Sequence, residues 1–256
     1  QSIRDTTRLW KRGNQLIGFS FVDDYNNLFF DTLTGDVQVD QLETEMINWG
    51  VACLKKRNRE LHVDGTLDCC CRADNHQRIN VLLKHGFKLE PVRTLEFSRS
   101  LDGTLSVFPL PDGFSIRRVG GRQEADRLAA LHRAAFGTNN MTVEYRLSMM
   151  NTPQYISELD LVAVAPGGDL AAFCVCGFDD PDHHAGYCDP IGTHPSWQRI
   201  GLGRAIVTAG LAALKKAGAL TAEFGTSSEN IAMQRLAASL GFVCIAEKSW
   251  FSKTIP

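Results

Sequence analysis

Apolar positions along the chain fall into two stretches that repeat one another. Asn75 to Phe87 reads NHQRINVLLKHGF and Asn230 to Phe242 reads NIAMQRLAASLGF, each running from an asparagine through a helical apolar pattern to Gly-Phe. A short strand-like run precedes each (TLDCCCR and TAEFGT), and a β-rich tail follows (KLEPVRTLEFSRS and VCIAEKSWFSKTI). Upstream of each lies a longer helical pattern ending in paired lysines, from about Val39 to Lys56 and from about Ile200 to Lys216. In the second, Leu202, Ile206, Ala209 and Ala213 recur at helical spacing and Gly218 supplies a stop. Three strand candidates precede each long helix: RLWKR, LIGFSFV and NLFFDTL in the first half, DLVAVAP, LAAFCVCGF and GYCDPIGTH in the second. The second half alone opens with a strand, FSIRRV, and two helices, RQEADRLAALHRAAFG and TVEYRLSMMN.

The pattern therefore predicts two related α/β units, the N-terminal copy incomplete, with strands that mostly follow one another as antiparallel neighbours. Residues 1–100 form the first unit, 101–113 a Pro- and Gly-bearing linker, and 114–256 the second.

Composition narrows the function classes. With 256 residues, 44% hydrophobic and 22% charged, the chain buries one large core or two moderate ones. A formal charge of -2 gives no basic footprint for nucleic acid and argues against a polycationic acceptor, and no apolar run is long enough for a membrane span. A soluble cytoplasmic protein is expected. The eight cysteines include Cys69, Cys70, Cys71 and the pair Cys174, Cys176, with neither zinc-knuckle nor secreted-disulfide spacing, so buried thiols and no metal are expected. The chain opens on Gln1 rather than methionine, which suggests a processed start.

The stretch WQRIGLGRA, residues 197 to 205, carries the clearest chemistry. Two glycines between a strand and a helix let backbone N–H groups from Arg199 to Arg204 converge on a phosphate oxygen, where the helix dipole favours an anion. The motif lacks the third glycine of a dinucleotide fingerprint and the Lys-Ser/Thr of a P-loop.

The run IGTHPSWQRIGLG resembles motif A of the GNAT acyltransferases: a strand, His-Pro, then Gln/Arg-x-x-Gly-x-Gly/Ala, filled here by Gln198, Gly201 and Gly203. NIAMQRLAASLGF is similar to the same family's Asn-x(10)-Gly-Phe segment, so the resemblance covers residues 114–254. The duplication resembles tandem GNAT proteins, in layout such as mycothiol synthase. The resemblance implies a mixed, mostly antiparallel sheet flanked by helices, and an acetyl-CoA co-substrate. It implies that the amides of Arg199, Ile200, Gly201, Leu202, Gly203 and Arg204, with Gln198, hold the pyrophosphate; that Ile191 and Thr193 pair with pantetheine through their main chain; and that Asn230 contacts the pantetheine arm.

Two departures accompany it. From Asp36 to Trp49 the first copy has no glycine and several carboxylates, so it is expected to bind no CoA and to serve as cover, pocket wall or homodimer contact. The tyrosine that family members often use to protonate the leaving thiolate is replaced by Ala237, and by Leu82 in the first copy.

Asp189 is the first choice of general base, on the strand leading to the loop; termination of that strand ahead of Pro190 explains it equally. Pro190 cannot donate to a ladder, so a bulge is expected there. Asp182, His183 and His184 read as a solvated turn, and His194 as a structural loop residue. Tyr145, Met149 and Met150 either border the acceptor or pack an amphipathic helix. With no Cys or Ser visibly paired to a base, the reaction expected is direct attack by an amine, of a small molecule or a peptide, in a ternary complex. A non-catalytic acyl-CoA sensor and transfer of a longer acyl group stand as rival readings.

Overall fold

The structure is a computed structural model that describes residues 5–33, 39–106, 108–179 and 184–256. Three strands, β1 (Thr7–Arg12), β2 (Gln15–Val22) and β3 (Leu28–Thr32), form an antiparallel meander. After them come α1 (Val39–Leu61), β4 (Gly65–Arg72), α2 (His76–Lys84) and β5 (Lys88–Ser100). The second series is β6 (Ser115–Arg118), α3 (Ala125–Phe136), α4 (Val143–Met150), β7 (Asp160–Val164), β8 (Leu170–Phe178) and β9 (Ala185–Thr193). It closes with α5 (Leu202–Lys216), β10 (Thr221–Ser227), α6 (Ile231–Ser239) and β11 (Val243–Ile255). The run from β1 to β5 is thus repeated, element for element, from β7 to β11. Among the described residues β6, α3 and α4 have no counterpart ahead of β1.

The repeated Asn and Gly-Phe have a structural cause. Asn75 and Asn230 each cap a helix, their side-chain oxygens accepting from Arg78 N and Met233 N at 3.1 Å. Gly86 and Gly241 take φ of 77° and 76°, and the following Phe87 and Phe242 donate back to Leu82 O and Ala237 O, closing each helix in a Schellman motif. Both phenylalanines are then buried.

The chain clusters into two compact units. The first takes the described residues up to Leu95 together with Ser227–Glu229 and Ala246–Pro256; the second takes Glu96–Thr226 and Asn230–Ile245. Strands β5 and β11, 13 residues each, pass from one unit to the other, and the expected linker 101–113 falls inside the second unit. In the first unit β11 pairs antiparallel with β4, Trp250 opposite Cys70, and α1 buries Met46, Ile47 and Leu54 in a core with Val22, Leu28 and Phe251. In the second unit β6, β7, β8 and β9 are successive antiparallel neighbours and β10 joins β9 in parallel. The sheet is mixed and mostly antiparallel, with helices against it, as the sequence predicts. Leu202, Ile206, Leu211 and Leu214 make the buried stripe of α5, each contributing roughly 1.5–3 kcal/mol by burial.

Beneath α4 lies a buried ion pair. Arg146 donates to Asp160 Oδ2, which also accepts from the Tyr155 hydroxyl at 2.7 Å. Burial pushes the Asp160 carboxyl up, against the pull of Arg146. Arg146→Met leaves that carboxylate without its cation and is expected to cost about 3–5 kcal/mol at neutral pH. Urea unfolding at two pH values checks this: the deficit shrinks in acid, where a neutral Asp160 no longer needs a partner, and an equal deficit at both would trace it to packing.

Candidate active site

The second unit builds a cleft of about 840 Å³ at the N-terminus of α5. Ile191, Thr193, Gln198, Arg199, Gly201, Gly203, Arg204 and Asn230 all line it. Ile200 and Leu202 are not among the lining residues: Leu202 is buried and Ile200 is exposed. A short 3-10 turn, Pro195–Trp197, brings the chain round from β9; His194 Nδ1 accepts from Ser196 N at 3.2 Å, which makes His194 the structural residue expected. Arg199 and Gly201 then take φ of 67° and 93°, turning the backbone into the helix. The first amides of α5 have no intrahelical acceptor and point along a dipole that favours anions. Arg204 adds a guanidinium at the rim, 4.8 Å from the Phe108 ring. Gln198 Nε2 donates to Thr193 O at 3.2 Å, tying the loop to the strand end.

Asn230 does something the sequence reading did not assign. Its side-chain oxygen caps α6, as that of Asn75 caps α2, which leaves its amide nitrogen and the oxygen's second lone pair for the cleft.

The bulge expected at Pro190 is present. Cys176 pairs with Cys188 and Cys174 with Ile191, so Asp189 and Pro190 together oppose Val175. Pairing of β9 with β10 ends at Glu223 opposite Tyr187, so the two strands part where the bulge begins. In the opening sits a second cavity, about 320 Å³, lined by Glu96, Phe97, Asp179, Tyr187, Asp189, Glu223, Phe224 and Gly225. Asp189 is exposed and lines this cavity, and desolvation there pushes its carboxyl up from the usual range. Burial likewise raises the Tyr187 phenol, which stays protonated at neutral pH as a hydrogen-bond donor. Neither the carboxylates beside Asp189 nor Tyr187 were found by sequence reasoning, because three separate strands and the turn after β8 supply them.

The remaining candidates lie elsewhere. Tyr145 is exposed on α4, Met149 lines a small space with His132 and Pro190, and Met150 packs on the core. Asp182 and His183 lie outside the described residues, and the carbonyl of His184 accepts from Leu220 N at 2.8 Å. Ala237 is buried in α6. In the first unit, Glu43 near the start of α1 is buried and paired with Arg78 at 2.7 Å, so a protein ion pair stands where the second unit presents open amides.

Residues 127–242 match the model of the Acetyltransferase (GNAT) family. This part of the chain is similar to a GNAT acetyltransferase domain. Solved structures share the fold over nearly the whole chain. A GCN5-related N-acetyltransferase from Sphaerobacter thermophilus superimposes with a TM-score of 0.83 at 17% identity, covering 98% of this chain and 81% of that one. A tandem GNAT protein from the clavulanic acid biosynthesis pathway gives 0.72 at 15% identity, covering 98% and 84%. A GNAT-family acetyltransferase from Colwellia psychrerythraea gives 0.66 at 15%, covering 98% and 86%. No curated protein matches the chain in sequence. The match supports a transferase, and the tandem GNAT structure shares the duplicated architecture. No described helix is long and apolar enough to cross a membrane.

Proposed function

We propose that the second unit transfers an acetyl group from acetyl-CoA to a primary amine on a cationic acceptor, by direct attack in a ternary complex. The observation that carries the reading is the position of Asp189. It stands in the cavity where β9 leaves β10, two residues before Ile191, which lines the cleft at the helix N-terminus. The open amides of α5 and Arg204 suit a pyrophosphate, and the strand edge at Ile191 suits pantetheine.

An amine reaches such a site as an ammonium. The Asp189 carboxylate takes its proton, directly or through water, and the freed nitrogen attacks the thioester carbonyl. A backbone N–H of the bulged strand stabilises the developing oxyanion, and the C–S bond then breaks. A thiolate with a pKa near 8.5 leaves with water as its proton source, so buried Ala237 does not block turnover.

The acceptor's charge follows from the cavity. Glu96, Asp179, Asp189 and Glu223 line it, and no Lys or Arg is among the lining residues. The chain's near-neutral total charge points away from a polycation, but four of its 29 acidic side chains line this one cavity. A thiol-release assay over a panel of amines tests the reading. A diamine is expected to exceed a monoamine of equal length about tenfold in kcat/KM, with the advantage falling as salt rises. Acetyl-CoA binding with no thiol release from any amine would favour a non-catalytic acyl-CoA sensor, the reading that Ala237 supports. Residence in the cytoplasm fits the acetyl-CoA supply and the reduced thiols.

A further inference from the structure

Between β8, β9 and α5 lies a cluster that the acyl-transfer chemistry does not use. Cys174 and Cys176 sit two apart on β8 and so face the same side of the sheet. Cys188, on β9, is the direct register partner of Cys176. The three thiols converge, with Sγ separations of 3.5 Å for Cys174 and Cys176 and 3.3 Å for Cys176 and Cys188, and all three lie within 4.8 Å of one another. All are buried. Helix α5 passes directly over them at Gly210, where a Cβ would lie 2.9 Å from Cys176 Sγ and 3.0 Å from Cys174 Sγ. The helix approaches because that position is glycine.

Sulfur is not needed for this packing. In the first unit the same junction of sheet and long helix places Gly50 of α1 over Leu28, a hydrocarbon side chain, with the Cβ position 2.7 Å from Leu28 Cδ1. The second unit instead gathers three ligand atoms at one point.

We infer that Cys174, Cys176 and Cys188 form a binding site for a trivalent thiophilic metalloid, of which arsenite is the accessible example. Two arguments select this class over a divalent metal. Zinc in a closed protein site takes four ligands in a tetrahedron, and no fourth His, Cys, Asp or Glu joins this group among the described residues. Charge decides more strongly. Three thiolates around a divalent ion leave a net negative charge in the core, at high desolvation cost, whereas three around a trivalent centre are neutral. A trivalent arsenic centre takes three sulfurs, and three are gathered here within 4.8 Å of one another. The step is an exchange without redox: arsenous acid loses three hydroxyls, three As–S bonds replace three As–O bonds, and each thiol proton leaves in a water molecule. The reaction is reversible, and a dithiol competitor returns the thiols.

The folded protein, kept reduced with a phosphine rather than a thiol, is incubated with sodium arsenite and read by native mass spectrometry and thiol alkylation. The expected result is one adduct per chain, heavier by one arsenic less three hydrogens. Cys174, Cys176 and Cys188 should be lost from alkylation on brief unfolding, while exposed Cys244 and half-buried Cys70 react as before. Cys176→Ala should lose the adduct, and Cys188→Ala serves as the second variant, each with the wild-type circular dichroism spectrum as evidence of folding. Absence of an adduct on the wild type overturns the inference. So does an adduct that persists in both folded variants, or one that protects the Cys69, Cys70, Cys71 run instead.

Discussion

Asp189→Asn is expected to lower the turnover of amine acetylation by about 10²–10⁴-fold while leaving acetyl-CoA affinity within about twofold. The split follows from placement. Asp189 lines the cavity proposed for the acceptor, and the residues at the helix N-terminus line the other cleft. Asparagine keeps the shape and removes the proton acceptor. The pH dependence adds a second test. Desolvation raises the Asp189 carboxyl above its ordinary value of 3.8, so the acid limb of kcat/KM should lie at higher pH than a solvated aspartate gives, and should vanish in the variant. Stability carries the opposite sign. A carboxyl whose folded pKa is raised contributes fully below its unfolded pKa and loses that contribution as pH rises through the folded value. The variant should therefore gain thermal stability over wild type at pH 8 and show no gain at pH 3. Steady-state kinetics beside melting curves at the two pH values settle both points. Wild-type turnover in the variant would pass the base role to water or to another carboxylate.

The parts of this site that were legible in the sequence are those whose chemistry is local. A helix N-terminus that must expose bare amides needs its glycines in the loop and first turn, and Gly201 and Gly203 stand there. Pro190 cannot donate to a ladder, and the strand bulges at that residue. The Asn and Gly-Phe of each copy stand at helix ends, where Asn230 both caps α6 and lines the cleft. What was not legible depends on pairing between distant segments. Glu96 lines the cavity beside Asp189 only because β5 continues past Leu95 into the second unit, and Glu223 because β10 lies parallel to β9 as far as Tyr187. A strand's periodicity tells which side chains share a face and says nothing about which strand lies beside it. The same limit hid Cys188 from Cys174 and Cys176. Net charge is blind to this for a related reason, since a sum over the chain hides four carboxylates that line one cavity.

Gly203→Glu should abolish measurable acetyl-CoA binding, a loss of at least about a hundredfold, without loss of fold. Gly203 lies in the first turn of α5, and a Cβ there would meet only Thr193 Oγ1 at 3.6 Å and Leu236 Cδ2 at 3.7 Å, ordinary contact distances. The protein itself therefore has room for a side chain. Replacing a helical glycine also recovers roughly 0.5–1 kcal/mol of backbone entropy, so the variant should melt no lower than wild type. Room that the fold leaves unfilled, at the positive end of a helix dipole, is room for an anion. A glutamate there brings both bulk and a competing charge. Gly203→Gln separates the two: binding that recovers partly with glutamine assigns the difference to charge, and equal loss assigns the effect to bulk. Gly201 is the poorer test, because its φ of 93° strains any substituted residue whatever binds nearby. Calorimetric titration of wild type, Gly203→Gln and Gly203→Glu with acetyl-CoA gives the answer directly. Unchanged affinity in the glutamate variant would remove the loop from the site. Loss of binding with an intact melting curve would place the pyrophosphate on the amides of α5, and the amine then has its partner two residues beyond Asp189.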